Sequence, residues 1–326
     1  MTRVIALLLA LGSTLSAADW DPAAAARFLD DRQKEWFSWP RAKTPEGTCV
    51  SCHTGMPYLL ARPALRKRLG EAAPTEWETK LLDRLRDHAG DERKVNIQGP
   101  EIIFGALFLG RDEPAGEAAG RARTQLAALR REEGPLQGVW QWYSANLEPW
   151  ESPGSFSFGA ALGGWSAAAT GAGPEALAPT VAWLREHRAE APLHNRLAML
   201  WASPKLPGLF TEGERRALIE EVLAKQQADG SWTIASLGPW MEEKNAPPQP
   251  AGGHPYATAV AAFVLEQTGV RDPGVGRARA WLASHQDRET GAWLAPSMNK
   301  VYPQGSVESK FMQDAATAFA ALALLN

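Results

Sequence analysis

The sequence predicts an all-α chain whose helices lie in two concentric layers. Five stretches, 76–88, 116–131, 174–187, 211–227 and 273–286, carry apolar residues at helical spacing on one face and charge on the other. Between them run five stretches that are small and apolar on nearly every face: 101–109 (EIIFGALFL), 156–169 (FSFGAALGGWSAAA), 194–202 (HNRLAMLWA), 256–266 (YATAVAAFVLE) and 314–325 (DAATAFAALALL). A helix without a polar stripe is buried all round, so the second set forms an inner layer that the first set sheathes. The third observation is an internal repeat: amphipathic helices run into EEGPLQGVWQW, QQADGSW and HQDRETGAW, each a glycine turn followed by tryptophan.

Residues 1–18 (MTRVIALLLALGSTLSAA) place Arg3 before an apolar run and end in small residues, the pattern of a cleaved secretory signal. The run is too short to span a bilayer, so the expected mature chain is soluble and periplasmic or extracellular. Residues 19–75 do not follow the repeat. They offer one helix, 22–37, with Asp21 as cap and Pro22 in the first turn, followed by a Pro/Gly-rich passage, and are expected to form a separate helical and irregular segment. From 76 to 326 the alternation predicts about five helical hairpins. Within that region Thr211 and Glu214 have the spacing of a capping box, and the link 240–255 (WMEEKNAPPQPAGGHP) has the length of a functional or mobile loop.

The turns at Gln226–Trp232, Gln286–Trp293 and, more loosely, Gln137–Trp142 resemble the QW-type repeats of the terpenoid-cyclase and protein-prenyltransferase superfamily. That resemblance covers residues 76–326 and implies an α/α toroid, a double-layered helical barrel around a central cavity able to hold an apolar small molecule. It does not carry the family's chemistry across. The Asp-rich motif that protonates terpenes is missing, since Asp30 and Asp31 lack companion acids, and both cysteines sit at one spot rather than in a zinc set. Cyclisation and prenyl transfer are therefore disfavoured, and fold alone licenses no activity.

A formal net charge of −3 with acids and bases interspersed argues against nucleic-acid binding. The chain has only two cysteines, both in GTCVSCHTGM (47–56). Two thiols that close together staple almost nothing as a disulfide, no further zinc ligands follow within thirty residues, and no strand precedes them as in a redox-active pair. The CVSCH run resembles the attachment motif of c-type cytochromes. This resemblance covers the motif alone and implies one covalent haem c, with Cys49 and Cys52 as thioether anchors and His53 as proximal iron ligand. Met56 is too near to reach the opposite face, so a sixth ligand is expected from the repeat region: Met312 first, then His194 and Met298, with an open iron position as the alternative.

Glu101, His194, Asn195, Tyr256 and Asp314 stand near the starts of inner helices and are expected at one rim, either as helix caps or as hydrogen-bonding partners of a haem propionate or a substrate. Arg41, Lys43, Arg62 and Arg66 flank the cysteine motif and are candidates to neutralise propionates. Three functions are compatible with these features. The first is an exported monohaem cytochrome passing electrons to a protein partner, with its haem docked at the toroid's mouth. The second is a haem oxidoreductase of peroxidase or oxygenase type acting on a substrate in the cavity. The third is a non-catalytic haem-bearing sensor or apolar-ligand binder.

Overall fold

A computed structural model describes residues 20–45, 47–90, 95–140, 142, 145–241 and 245–325; the expected signal, 1–18, lies outside them. Twelve α-helices are described: α1 Pro22–Ser38, α2 Gly55–Leu69, α3 Glu76–His88, α4 Val95–Asp112, α5 Glu117–Leu129, α6 Phe156–Ala169, α7 Pro174–His187, α8 Leu193–Ala202, α9 Glu212–Ala224, α10 Pro255–Gln267, α11 Pro273–Ser284 and α12 Phe311–Leu325. A single two-stranded ribbon, Lys43–Thr44 with Gly47–Thr48, is the only sheet among the described residues.

The even-numbered helices form a closed inner ring. Each of α2, α4, α6, α8, α10 and α12 packs on the next, and α12 returns to α2. Odd-numbered helices lie outside, α3 against α2 and α4, α5 against α4 and α6, α11 against α10 and α12. The α/α toroid thus holds six hairpins rather than five. The sixth comes from the segment read as irregular, because α2 (GMPYLLARPALRKRL) carries Pro57 near its start and Pro63 inside. Proline is harmless in a first turn and removes one hydrogen bond further in, and burial of Tyr58, Leu59, Ala61 and Leu65 offsets that loss. Similarly α4 runs through Pro100 and is longer than the 101–109 stretch that its pattern marked.

The tryptophan turns make one construction three times. Trp140 Nε1 donates to the Leu126 carbonyl at 2.8 Å, Trp232 Nε1 to Val222 at 2.7 Å and Trp293 Nε1 to Leu282 at 2.8 Å. Each acceptor is in the last turn of the preceding outer helix, where carbonyls lack intrahelical partners. The turn glycines Gly138, Gly230 and Gly291 have φ of 83°, 94° and 80°. A Cβ on them would strike the backbone of Pro179, Arg277 and Ala24 respectively, each on the next outer helix round the ring. The glutamines close the seam. Gln226 Nε2 donates to the Gly274 carbonyl at 2.7 Å, at the start of α11. Gln286 accepts from Asp21 N at 2.7 Å and donates to Asp21 O at 2.9 Å, at the N-cap of α1. In the repeat's own geometry, α1 is therefore the outer helix next after α11.

Small residues let the inner helices crowd. On α6, a Cβ at Gly163 would lie 2.5 Å from the Trp140 ring and one at Gly159 2.7 Å from the Trp140 carbonyl, so this glycine face is the seat of Trp140. The predicted capping box is formed, with Glu214 N donating to Thr211 Oγ1 and Thr211 N to Glu214 Oε2.

Candidate functional site

Because every inner helix is the second arm of a hairpin, all six begin at the same rim. Most of the links that feed them are long: 39–54 into α2, 130–155 into α6, 225–254 into α10 and 285–310 into α12. Long loops on a rigid scaffold are where sites are built. Three of these links meet over a pocket with about 460 Å³ of empty space that opens to solvent.

His53 enters it from the end of the first link. Ser51 Oγ accepts from His53 N at 3.2 Å and Thr54 N at 3.1 Å, which leaves its own proton for His53 Nδ1 at 3.4 Å. An accepting Nδ1 puts the ring proton on Nε2, and Nε2 faces Glu151 Oε1 at 2.9 Å. The imidazole stacks on Phe311 with ring centroids 4.6 Å apart and meets Trp150 at 5.8 Å. Its side chain is 20% exposed and that of Glu151 6%, so the pair is seated in the wall and reached from outside. Glu151 is fixed by reciprocal backbone bonds with Leu147. The same loop is clamped to the last link, where Glu148 N donates to Asn299 Oδ1 at 2.7 Å and Asn299 Nδ2 donates back to Glu148 O at 2.8 Å.

Trp150 is held from below by a buried chain. Its Nε1 donates to Tyr256 Oη at 2.8 Å, so the Tyr256 hydroxyl gives its proton to His194 Nε2, also at 2.8 Å. His194 Nδ1 then donates to Asn195 Oδ1 at 3.0 Å, and Asn195 Nδ2 donates to Ser157 Oγ and the Gly154 carbonyl. Burial lowers the pKa of His194 to about 4 and pushes the Tyr256 phenol up, which keeps both neutral as the chain requires. Behind His53, Asp314 of α12 is 1% exposed and takes two of the three Arg32 nitrogens, Nε at 2.6 Å and Nη2 at 3.0 Å, together with the Thr54 hydroxyl at 2.8 Å.

Of the residues singled out in the sequence, His53, Met298 and Met312 line one pocket. His194 does not reach it and lies behind Trp150. The expected rim cluster is partly assembled: His194, Asn195 and Tyr256 share one chain and Asp314 supports Thr54, whereas Glu101 pairs with His88 beyond it. Cys49 and Cys52 are half-buried thiols rather than a disulfide, and burial together with Glu151 and Cys49 pushes the Cys52 thiol well up. The four flanking cations are engaged within the chain: Arg41 with Glu308, Arg62 with Asp30 and Glu71, Arg66 with Glu78, and Lys43 with Phe37 O and Thr48 Oγ1. Sequence reasoning passed over Glu151, Trp150, Tyr302, Glu308 and Phe311. The available signal was EPWES (148–152), an acidic and aromatic run in a long link ahead of a buried helix.

No protein-family profile matches the chain, and no curated protein matches it at a significant level. Solved structures do resemble it. A polysaccharide lyase superposes with a TM-score of 0.54 at 14% identity, covering 93% of this chain and 96% of its own. A possible member of the GH105 family from Salmonella enterica serovar Paratyphi A gives 0.54 at 12%, covering 94% and 93%. An inactive variant of an α-1,6-mannanase of Salegentibacter sp. in complex with α-1,6-mannotriose gives 0.54 at 12%, covering 94% and 100%. At this identity the likeness shows the fold, an all-α toroid that includes the N-terminal hairpin.

These findings correct the functional reading of CVSCH. The solved structures that the chain resembles over 93–94% of its length are toroid carbohydrate-active enzymes and not cytochromes, so the electron-transfer cytochrome and its haem-oxidoreductase and haem-sensor alternatives do not stand. A five-residue motif specifies a possible attachment chemistry, while the surrounding fold is specified by the other three hundred residues. No group of three or more His, Cys, Asp or Glu side chains that could hold a metal ion is found among the described residues, and no described helix is long and apolar enough to cross a membrane.

Proposed function

We propose that this protein is a carbohydrate-active enzyme whose substrate enters the pocket at the toroid's mouth and whose proton transfers run through Glu151 and His53. The observation that carries this reading is the Glu151–His53 pair itself, 2.9 Å apart, recessed but reachable and set among the rings of Trp150, Phe311 and Tyr302. An aromatic wall suits the apolar face of a sugar, and a carboxylate oriented by an imidazole N–H is a positioned general base. Glu148, in the same loop and on the same pocket, supplies the second carboxyl group that sugar chemistry ordinarily needs. The toroid enzymes that share the fold support the class, and the signal-like pattern of residues 1–18 supports an activity outside the cytoplasm.

The test is a panel of purified polysaccharides, assayed for new reducing ends and for the ultraviolet absorbance of unsaturated products. Glu151→Gln, with an unchanged circular dichroism spectrum, is expected to lower kcat by about 10²–10⁴-fold. An unaffected rate in Glu151→Gln, or no product from any polysaccharide, overturns the reading.

A separate proposal concerns the thiols. A haem bound through Cys49 and Cys52 would take His53 as one ligand and find the thioethers of Met312 and Met298 on the same pocket, a donor set that fits iron in kind. Such a group would supply an iron centre, and it would require His53 to leave Glu151, so the two proposals exclude each other at this pocket. The mass of the mature chain, made in a host that matures such proteins, decides: an added haem favours the second and a bare polypeptide removes it.

A further inference from the structure

Resting on the carbohydrate reading of the mouth pocket, we infer that its substrate is an uncharged glycan and that the reaction is hydrolysis rather than elimination. The charged groups described on the pocket wall are Glu148, Glu151, Glu308 and the imidazole of His53. Ionised carboxylates only accept hydrogen bonds. Sugar hydroxyls donate them, whereas a uronate or sulfate group brings further acceptors and a like charge. The nearest cations already have partners and do not line the pocket: Arg41 Nη1 holds Glu308 Oε1 at 2.5 Å, Lys310 holds Glu35 at 3.0 Å, and Lys300 lies over the Tyr302 ring at 5.2 Å.

The six inner helices do present their N-termini to this rim, and such ends favour anions. Here that field falls on protein carboxylates: Glu151 is beside the start of α2, and Asp314 occupies the first turn of α12. The helix ends thus already have protein carboxylates beside them.

Charge also selects the reaction. Eliminative cleavage removes a proton next to a carboxylate and needs a cation or hydrogen-bond donors to offset the negative charge that builds there; no cation is described on the wall, and the His53 and Asn299 donors already hold Glu151 and the Glu148 carbonyl. Hydrolysis needs only water. Its oxygen bonds to the anomeric carbon, the glycosidic carbon–oxygen bond breaks, one water proton passes to Glu151 and a proton from a second carboxyl group goes to the leaving sugar oxygen, so atoms and charge balance. Without an acidic group on the substrate, sugar identity is read by hydroxyl positions against Glu148, Glu151 and Asn299.

The test is equilibrium binding to the intact chain, read by calorimetry, with uncharged hexose trisaccharides of gluco, manno and galacto configuration and with trigalacturonate. At least one uncharged trisaccharide is expected to bind about tenfold or more tighter than trigalacturonate, with an affinity insensitive to added salt. Equal or tighter binding of trigalacturonate, or an unsaturated product from it, overturns the charge argument while leaving the site in place. Failure of every sugar to bind removes the carbohydrate reading and this inference with it.

Discussion

Replacing Asp314 by alanine isolates the ion pair on which the site's inner wall rests. Arg32 is 2% exposed and Asp314 1% exposed, and their two contacts of 2.6 and 3.0 Å form a fork inside the ring. Burial pushes the Asp314 carboxyl up, with Arg32 and the Thr54 hydroxyl pulling the other way. Removing the carboxylate leaves the buried guanidinium with only the part-exposed Glu35 and the Val307 carbonyl. Taking one partner from a buried ion pair costs about 3–5 kcal/mol, and because Glu35 still offsets part of the charge the loss is expected at the lower end of that range, still a large part of the roughly 5–15 kcal/mol that holds a typical domain. The exposed Arg41–Glu308 pair, 74% exposed on the arginine side, is the control, and its loss is worth under about 1 kcal/mol. Urea denaturation followed by tryptophan fluorescence and far-ultraviolet circular dichroism reads both. Asp314→Ala should shift the midpoint strongly and Arg41→Ala hardly at all. The double variant Arg32→Met/Asp314→Leu should recover most of the loss, because two apolar side chains demand no partner. A cost below about 1 kcal/mol for Asp314→Ala would refute the reasoning.

Three further outcomes are expected. His194 and His254 are buried with pKa values lowered to about 4 from 6.5. The unfolded chain therefore binds protons that the native state refuses, and stability present above pH 6.5 is lost as pH falls toward 4. Each histidine contributes up to about 3 kcal/mol, read as urea midpoints that fall from about pH 7 to about pH 5 and fall less in His254→Gln. Gly291→Ala drives a Cβ into the Ala24 carbonyl at a φ of 80°, so it should lower stability by more than about 1 kcal/mol, measured by thermal melting; an unchanged Tm would contradict the seam between α1 and the last repeat. Thr75→Ala removes the cap of α3 and a partner of the Tyr58 hydroxyl at 2.6 Å, with an expected loss of about 0.5–2 kcal/mol in the same assay.

The layered architecture was legible because its cause is periodic. Stretches such as 256–266 are apolar on every face, which only an inner helix permits, and α10 spans them. The tryptophan turns were legible because a glycine turn followed by tryptophan recurs three times at the ends of amphipathic stretches. What escaped was the sixth hairpin, since α2 is written with Arg62, Arg66, Lys67 and two prolines and owes its place to packing against α12 and α1. Arg62, 3% exposed, reads as a surface residue until Asp30 and Glu71 are seen around it. The site was half legible for a related reason. His53, Met298 and Met312 were singled out by residue type and do converge, but Glu151 lies 98 residues from His53, and no local pattern reveals that such a pair meets.

That separation says how the site depends on the fold. His53 comes from the first hairpin, Trp150 and Glu151 from the link into the third inner position, Tyr302 from the link into the last and Phe311 from the first residue of α12 itself. These segments meet at the mouth only when α12 has come back against α2, and Gln286 with Gly291 holds that closure on Asp21 and Ala24. Contacts of such long sequence separation carry the largest loop-closure cost, so closure of the ring is expected to be the step that assembles the pocket. Loosening the seam should therefore impair the pocket before it melts the helices: partial denaturant is expected to abolish sugar binding while most helical circular dichroism remains. If binding and helix signal are lost together at one midpoint, the ring closes as a single cooperative unit and the seam has no separate role.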